Sequence, residues 1–134
     1  MKPNAALFIF IAGSAIVMRE APAAGADDGT WRQYAQAPNG DVHFFDPSRA
    51  QHTNRLHRVW SRIRYKTSVM GAASYQSLLE IDCAQRTERI LQNTFFSDKH
   101  WKEPSMGTDK TAKPERPIER GSPAERLSEI LCAE

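Results

Sequence analysis

Tyr75-Gln-Ser-Leu-Leu-Glu-Ile-Asp-Cys83 and Ser122-Pro-Ala-Glu-Arg-Leu-Ser-Glu-Ile-Leu-Cys132 together decide how this chain folds. In the first stretch Tyr75, Leu79, Ile81 and Cys83 share one face at the period of two that a strand imposes. The second opens with a capping box: Ser122 as N-cap, Pro123 at the first helical position, and Glu125 reaching back to the cap amide. Ala124, Leu127, Ile130 and Leu131 then form an apolar stripe at helical spacing. A helix of about ten residues is marginal on its own, so it must dock. Its stripe and Cys132 both direct it to the sheet face that carries Cys83.

Those two cysteines are the only ones in the chain. Lying at the ends of two separate elements, they read as one structural disulfide, Cys83–Cys132. A redox pair would be spaced Cys-x-x-Cys, and a zinc site would need more ligands at closer spacing. Closing so long a loop contributes roughly 4 kcal/mol in the chain-entropy model. That is a large share of the 5–15 kcal/mol, very roughly, that stabilises a domain.

The first residues have the form of an export signal, which makes the compartment oxidising. Lys2 supplies a positive start and residues 5–17 an apolar run of about 13, short of the roughly 20 that span a bilayer. Pro22 and Ala24-Gly25-Ala26 then offer a cleavage site. The expected division is therefore a signal peptide over 1–26, cleaved near Ala26, and one domain over 27–134. The expected location is the periplasm or the exterior of a Gram-negative envelope. No cysteine lies near the cleavage site to serve as a lipobox, and no later segment is apolar enough for a permanent membrane span.

Outward from the Tyr75–Cys83 strand, the chain reads as further strands. Residues 31–36 and 41–46 flank Pro38-Asn39-Gly40, a turn whose Asn-Gly pair tolerates positive φ, and form a hairpin. Residues 48–54 are irregular or a brief edge strand. Residues 56–66 are the clearest long strand, with Val59, Ile63 and Tyr65 on one face. A helical stripe of Leu56, Val59, Trp60 and Ile63 competes, but β-branched content and missing caps favour the strand. Residues 68–74 read as a flexible connection. Residues 86–96 form another strand with Thr87, Leu91 and Phe95 on one side. Residues 105–117, rich in Pro, Lys and Thr, read as a solvated loop. The architecture is α+β: a single antiparallel β-sheet with a C-terminal α-helix packed on one face and tied there by the disulfide.

Arg58, Trp60, Arg62 and Arg64 alternate along the long strand, so all four side chains stand on one sheet face. An arginine–indole surface takes anionic polymers by paired hydrogen bonds, cation–π contact and stacking. These four are the candidate ligand-binding residues, and as solvent-facing groups their replacement should cost the fold little. The competing readings are a merely solvated face and a homodimer that buries Trp60. His43, His52, His57 and His100 sit on separate segments at no metal-ligand spacing. Of these, His52 and His57 could meet if the chain folds back. The carboxylate pairs Asp41/Asp46 and Glu80/Asp82 lack a nucleophile or oxyanion hole beside them, so no catalytic residues and no enzyme are expected. Without residues 1–26 the formal net charge falls from +2 to +1, too little for global attraction to nucleic acid.

The order of these features resembles a known family. An early Trp precedes Val-x-Phe-Phe-Asp (Val42 to Asp46), a basic strand with Val59-Trp60, Tyr75 and Glu80-Ile81-Asp82-Cys83. An arginine-rich strand follows, then Pro117-Ile118, Ser122, Leu127 and Leu131-Cys132. The pattern is similar to the surface-adhesin protein E-like domains of Gram-negative bacteria. The resemblance implies an antiparallel sheet with a disulfide-tied helix and non-enzymatic binding of host matrix or serum proteins. It also implies haem as the one cofactor to consider. The expected partner is a protein or an anionic glycan. The alternative is a periplasmic envelope-assembly or stress accessory protein that binds other bacterial proteins through its sheet edge.

Overall fold

The structure, a computed structural model, describes residues 29–102 and 104–133; the export signal expected over 1–26 lies outside them. Everything below concerns the compact unit from Trp31 onward. Eight strands make one antiparallel sheet: β1 (Arg32–Gln36), β2 (Val42–Phe45), β3 (Gln51–Thr53), β4 (Leu56–Val69), β5 (Ala72–Asp82), β6 (Thr87–Phe96), β7 (Ser105–Asp109) and β8 (Arg116–Pro117). The spatial order is β1-β2-β4-β5-β6-β7, with β3 also on β4 and β8 also on β6. The helix α1 (Pro123–Cys132) closes the chain.

The hairpin of β1 and β2 forms as expected, with Gly40 at φ +98° in its turn. Asp46 then ends β2. Its carboxylate accepts from the Ser48 amide (3.0 Å) and hydroxyl (2.6 Å), starting the 3-10 turn Pro47–Arg49. The chain returns as β3, so β2 and β3 share one side of β4 in succession.

Three expectations are corrected. The flexible connection over 68–74 does not exist: β4 runs to Val69, β5 starts at Ala72, and Val69 pairs with Ala72. Met70 and Gly71, both at positive φ (51° and 88°), make a two-residue turn of the kind that matches sheet twist. The solvated loop over 105–117 contains two edge strands, β7 and β8, paired to β6. Finally, Thr87, Leu91 and Phe95 do not share a face. The β5–β6 register slips at this point: Leu78 pairs with Gln92 but Leu79 with Ile90, leaving Leu91 as an extra residue. That bulge reverses the parity, so Glu88, Ile90, Asn93 and Phe95 face the helix side.

The core lies between that side and α1. Val59, Ile81 and Leu127 are fully enclosed, and Tyr34, Phe45, Leu79 and Leu131 complete the cluster. Cys83 and Cys132 are bonded, with their Cα atoms 5.8 Å apart. Ser122 caps the helix through a 3.1 Å bond from the Glu125 amide, but the expected return bond to the cap amide is displaced by one residue. The Glu125 carboxylate accepts from the Gly121 amide at 2.8 Å, while the Ser122 amide donates to the Glu119 carbonyl.

Candidate functional site

On the opposite face the even residues of β4 stand in the expected row. Register places Arg58 against Glu80, Trp60 against Leu78, Arg62 against Gln76 and Arg64 against Ser74 on β5. On the other side Phe44 of β2 stands against Arg62. Period two thus brings all four candidate residues to one face, and none of the three arginines there is a merely solvated group.

Arg58 is an ion-pair residue. Its Nε lies 2.9 Å from Glu80 Oε2, while Arg89 Nε on β6 holds Glu80 Oε1 at 2.8 Å. Glu80 is buried between them, only 6% exposed. Burial alone would raise its carboxyl. The hydrogen bonds and charges of Arg58 and Arg89 outweigh it and hold the group below the ordinary glutamate range. The stability it contributes is therefore present above the ordinary glutamate pKa and lost as pH falls through its lowered value. Glu80→Gln should cost about 1–3 kcal/mol at neutral pH, the worth of hydrogen bonds to charged groups. In urea melts across pH, the gap between variant and parent should close in acid. A gap independent of pH would show that Glu80 acts through shape and not charge.

Arg62 and Arg64 belong to a ladder of alternating cations and rings. The Arg62 guanidinium lies over Trp31 at 4.2 Å and over Trp101 at 4.7 Å. Arg64 lies 5.2 Å from Phe44 and 5.9 Å from Trp101. At the other end Arg49 stands between Trp31 (5.7 Å) and Trp60 (5.8 Å). The order is Trp60–Arg49–Trp31–Arg62–Trp101–Arg64–Phe44, every step within the roughly 6 Å over which a ring quadrupole attracts a cation. Three of its members have hydrogen-bonded anchors. Arg49 Nε bonds Asp46 at 2.6 Å, Arg62 Nε bonds Gln76 at 2.8 Å, and the Trp101 indole donates to the Tyr75 carbonyl at 3.0 Å. Asp46 itself is 1% exposed. Burial pushes its carboxyl up, but Ser48 and Arg49 more than offset that, so it remains a fixed anion.

A guanidinium beside a ring keeps N–H donors of the kind that bind carboxylate, sulfate or phosphate in pairs. The surface is a semi-rigid row of cations with aromatic spacers.

The chain matches the surface-adhesin protein E family over residues 31–133. It belongs to that family. Crystal form II of Haemophilus influenzae protein E shares its fold at 12% identity and TM-score 0.60, covering 78% of this chain and 87% of the other. The selenomethionine form of that protein matches at 11% identity and TM-score 0.61 over the same shares. Protein E from non-typeable Haemophilus influenzae matches at 11% and 0.60, covering 78% of this chain and 76% of the other. No curated protein matches the chain by sequence. The family's antiparallel sheet and helix are those described above.

The sequence reading found four ladder or face residues but missed Trp31, Phe44, Arg49 and Trp101 as their partners. They come from three other segments, and no periodicity links them. The available signal was composition: three tryptophans in a small chain with an arginine-rich strand. Among the histidines, His52 and His57 do meet. They are direct partners across β3 and β4, their rings stacked at 4.3 Å. The donor atoms of His57, Cys83 and Cys132 lie within 4.8 Å of one another, but the thiols are bonded together and unavailable to a metal. The cavity that His43 borders, about 310 Å³, is too small for a porphyrin. Among the described residues, no helix is long and apolar enough to cross a membrane.

Proposed function

We propose that this protein is a non-enzymatic exported binding domain of the adhesin type. Its ligand is an anionic polymer, either a sulfated or carboxylated glycan or an acidic segment of a host matrix or serum protein. The observation that carries this reading is the ladder: three guanidinium groups, those of Arg49, Arg62 and Arg64, each set between two aromatic rings along one sheet face. Family membership supports a binding role of this kind.

A rigid cationic row binds by charge first, so affinity must respond to salt. Exposed charges are screened beyond roughly 8–10 Å at physiological ionic strength. The exported protein should be retained on immobilised heparin in dilute buffer, released by sodium chloride, and not retained on neutral dextran. Equal retention on both matrices would reject the anionic-polymer reading. Epitopes accessible on intact cells would support adhesion, whereas release only by osmotic shock would favour the periplasmic accessory role.

A further inference from the structure

On the helix side of the sheet β4 is aliphatic at Val59 but carries an imidazole two residues earlier. His57 is 5% exposed and stands directly opposite Ile81, which is fully enclosed. A buried imidazole must be matched by polar partners, a demand that a leucine there would not make. Its neighbours include two sulfur atoms. Cys83 lies just past β5 on the same face as Ile81, held by its amide, which donates to the Arg55 carbonyl at 3.0 Å. His57 and Cys83 are therefore diagonal neighbours across the β4–β5 pair. The last turn of α1 brings Cys132 onto them. One ring nitrogen and two sulfurs, from three separate elements, lie within 4.8 Å of one another.

While the sulfurs are bonded to each other no metal can take them, and a dithiol changes that. It passes two electrons and two protons to the S–S bond, closes to its own cyclic disulfide, and leaves Cys83 and Cys132 as thiols. A cleft of about 280 Å³, lined by both cysteines with Arg86, Ile118 and Ser128, gives reductant and ion a way to the sulfurs. In a tetrahedral zinc site, with Zn–S about 2.3 Å and Zn–N about 2.0 Å, neighbouring donors stand about 3.5–3.8 Å apart. The three donors already lie within reach of that spacing. With their Cα atoms 5.8 Å apart, the two thiolates can separate to it by side-chain rotation.

We propose that the reduced protein binds one zinc ion through the thiolates of Cys83 and Cys132 and a ring nitrogen of His57, with water in the fourth position. Zinc displaces the two thiol protons, and the two thiolates neutralise its charge. Two sulfurs and a nitrogen suit zinc, whereas magnesium and calcium take oxygen donors. The ion joins the end of β5 to the last turn of α1, the same two places that the disulfide joins. It thus holds the helix in a chain that a thiol reductant has opened or that has not yet been oxidised. This site lies on the helix side of the sheet and stands whether or not the ladder binds an anion.

The test uses the protein reduced with dithiothreitol and desalted under argon. Titration with cobalt(II), a spectroscopic stand-in for zinc, should give thiolate-to-metal charge-transfer bands and tetrahedral d–d bands that saturate at one equivalent. Zinc should bleach them, and the disulfide-bonded protein should show neither. Reduction should lower the melting midpoint, and zinc, but not magnesium, should restore part of it, because the ion binds the folded chain. The His57 ring resonances should move when zinc is added to the reduced protein. His57→Phe keeps a flat ring in the core, and its disulfide-bonded form should melt cooperatively. Once reduced, it should bind cobalt at least roughly tenfold more weakly, since even partners one shell beyond a metal's ligands are worth that much. Absence of the bands, bands without recovery of the melting transition, unmoved His57 resonances, or equal affinity in His57→Phe would each overturn the proposal. The first three are read on the unmodified protein.

Discussion

Cys132→Ala lowers the unfolding free energy by about 2–5 kcal/mol, the usual cost of losing a native disulfide in a small domain. The bond closes a loop of 49 residues in separation and joins the end of β5 to the last turn of α1. What it holds is not self-sustaining. A ten-residue helix with one capping box does not persist in water, and Leu127 and Leu131 are enclosed only because α1 stays on the sheet. Urea denaturation should show a lower midpoint, and limited proteolysis should cut the chain after β8 first. Cys83→Ala and the double variant should match the single variant, because all three remove the same bond. An unchanged midpoint would mean that the apolar stripe alone docks the helix.

The parts of the fold legible in the sequence are those where one face is buried and the other wet. Val59, Ile81 and Leu127 sit on such faces and end fully enclosed. Alternation disappears where both faces are exposed. Lys66 to Ser68 fall in the irregular stretch between the Arg64–Ser74 and Val69–Ala72 pairs, the facing Ala72 to Ser74 are small, and β7 is paired with little burial to pattern it, so the end of the β4–β5 hairpin and the strand over 105–109 read as loops. Leu91 misled for another reason, since a bulge changes parity without changing composition. The candidate site was half legible. Period two placed Arg58, Trp60, Arg62 and Arg64 together, but their partners arrive through tertiary structure: Arg49 by way of the Asp46 turn, Trp101 by way of the chain after β6. The contacts of Arg58 with Glu80, of Arg62 with Gln76 and of Arg64 with its ring neighbours argue against the expectation that replacing these arginines leaves stability untouched.

Arg62→Lys should lower stability by about 1–2 kcal/mol although it conserves charge. Lysine offers a point charge in place of a planar fork, so it cannot reproduce both the approach to Trp31 and Trp101 and the Nε–H bond to Gln76. Replacing Arg58, Arg62 and Arg64 together by Ser goes further. It removes one of the two arginines on Glu80 and two cations of the ladder, for about 2–4 kcal/mol in total, and should abolish retention on heparin. Lost binding in that variant therefore has to be read against its own melting curve. Arg64→Gln separates the two effects. Its guanidinium sits at the ladder's end, 5.9 Å from Trp101, so stability should change by less than about 1 kcal/mol while heparin affinity falls roughly tenfold. Trp60→Ala should weaken binding further by leaving Arg49 with Trp31 as its ring neighbour. If Arg62→Lys melts like the parent, the ladder is not a structural unit. If Arg64→Gln keeps full affinity in dilute salt, the anion contacts another face of the protein, with the exposed β7–β8 segment the next surface to mutate.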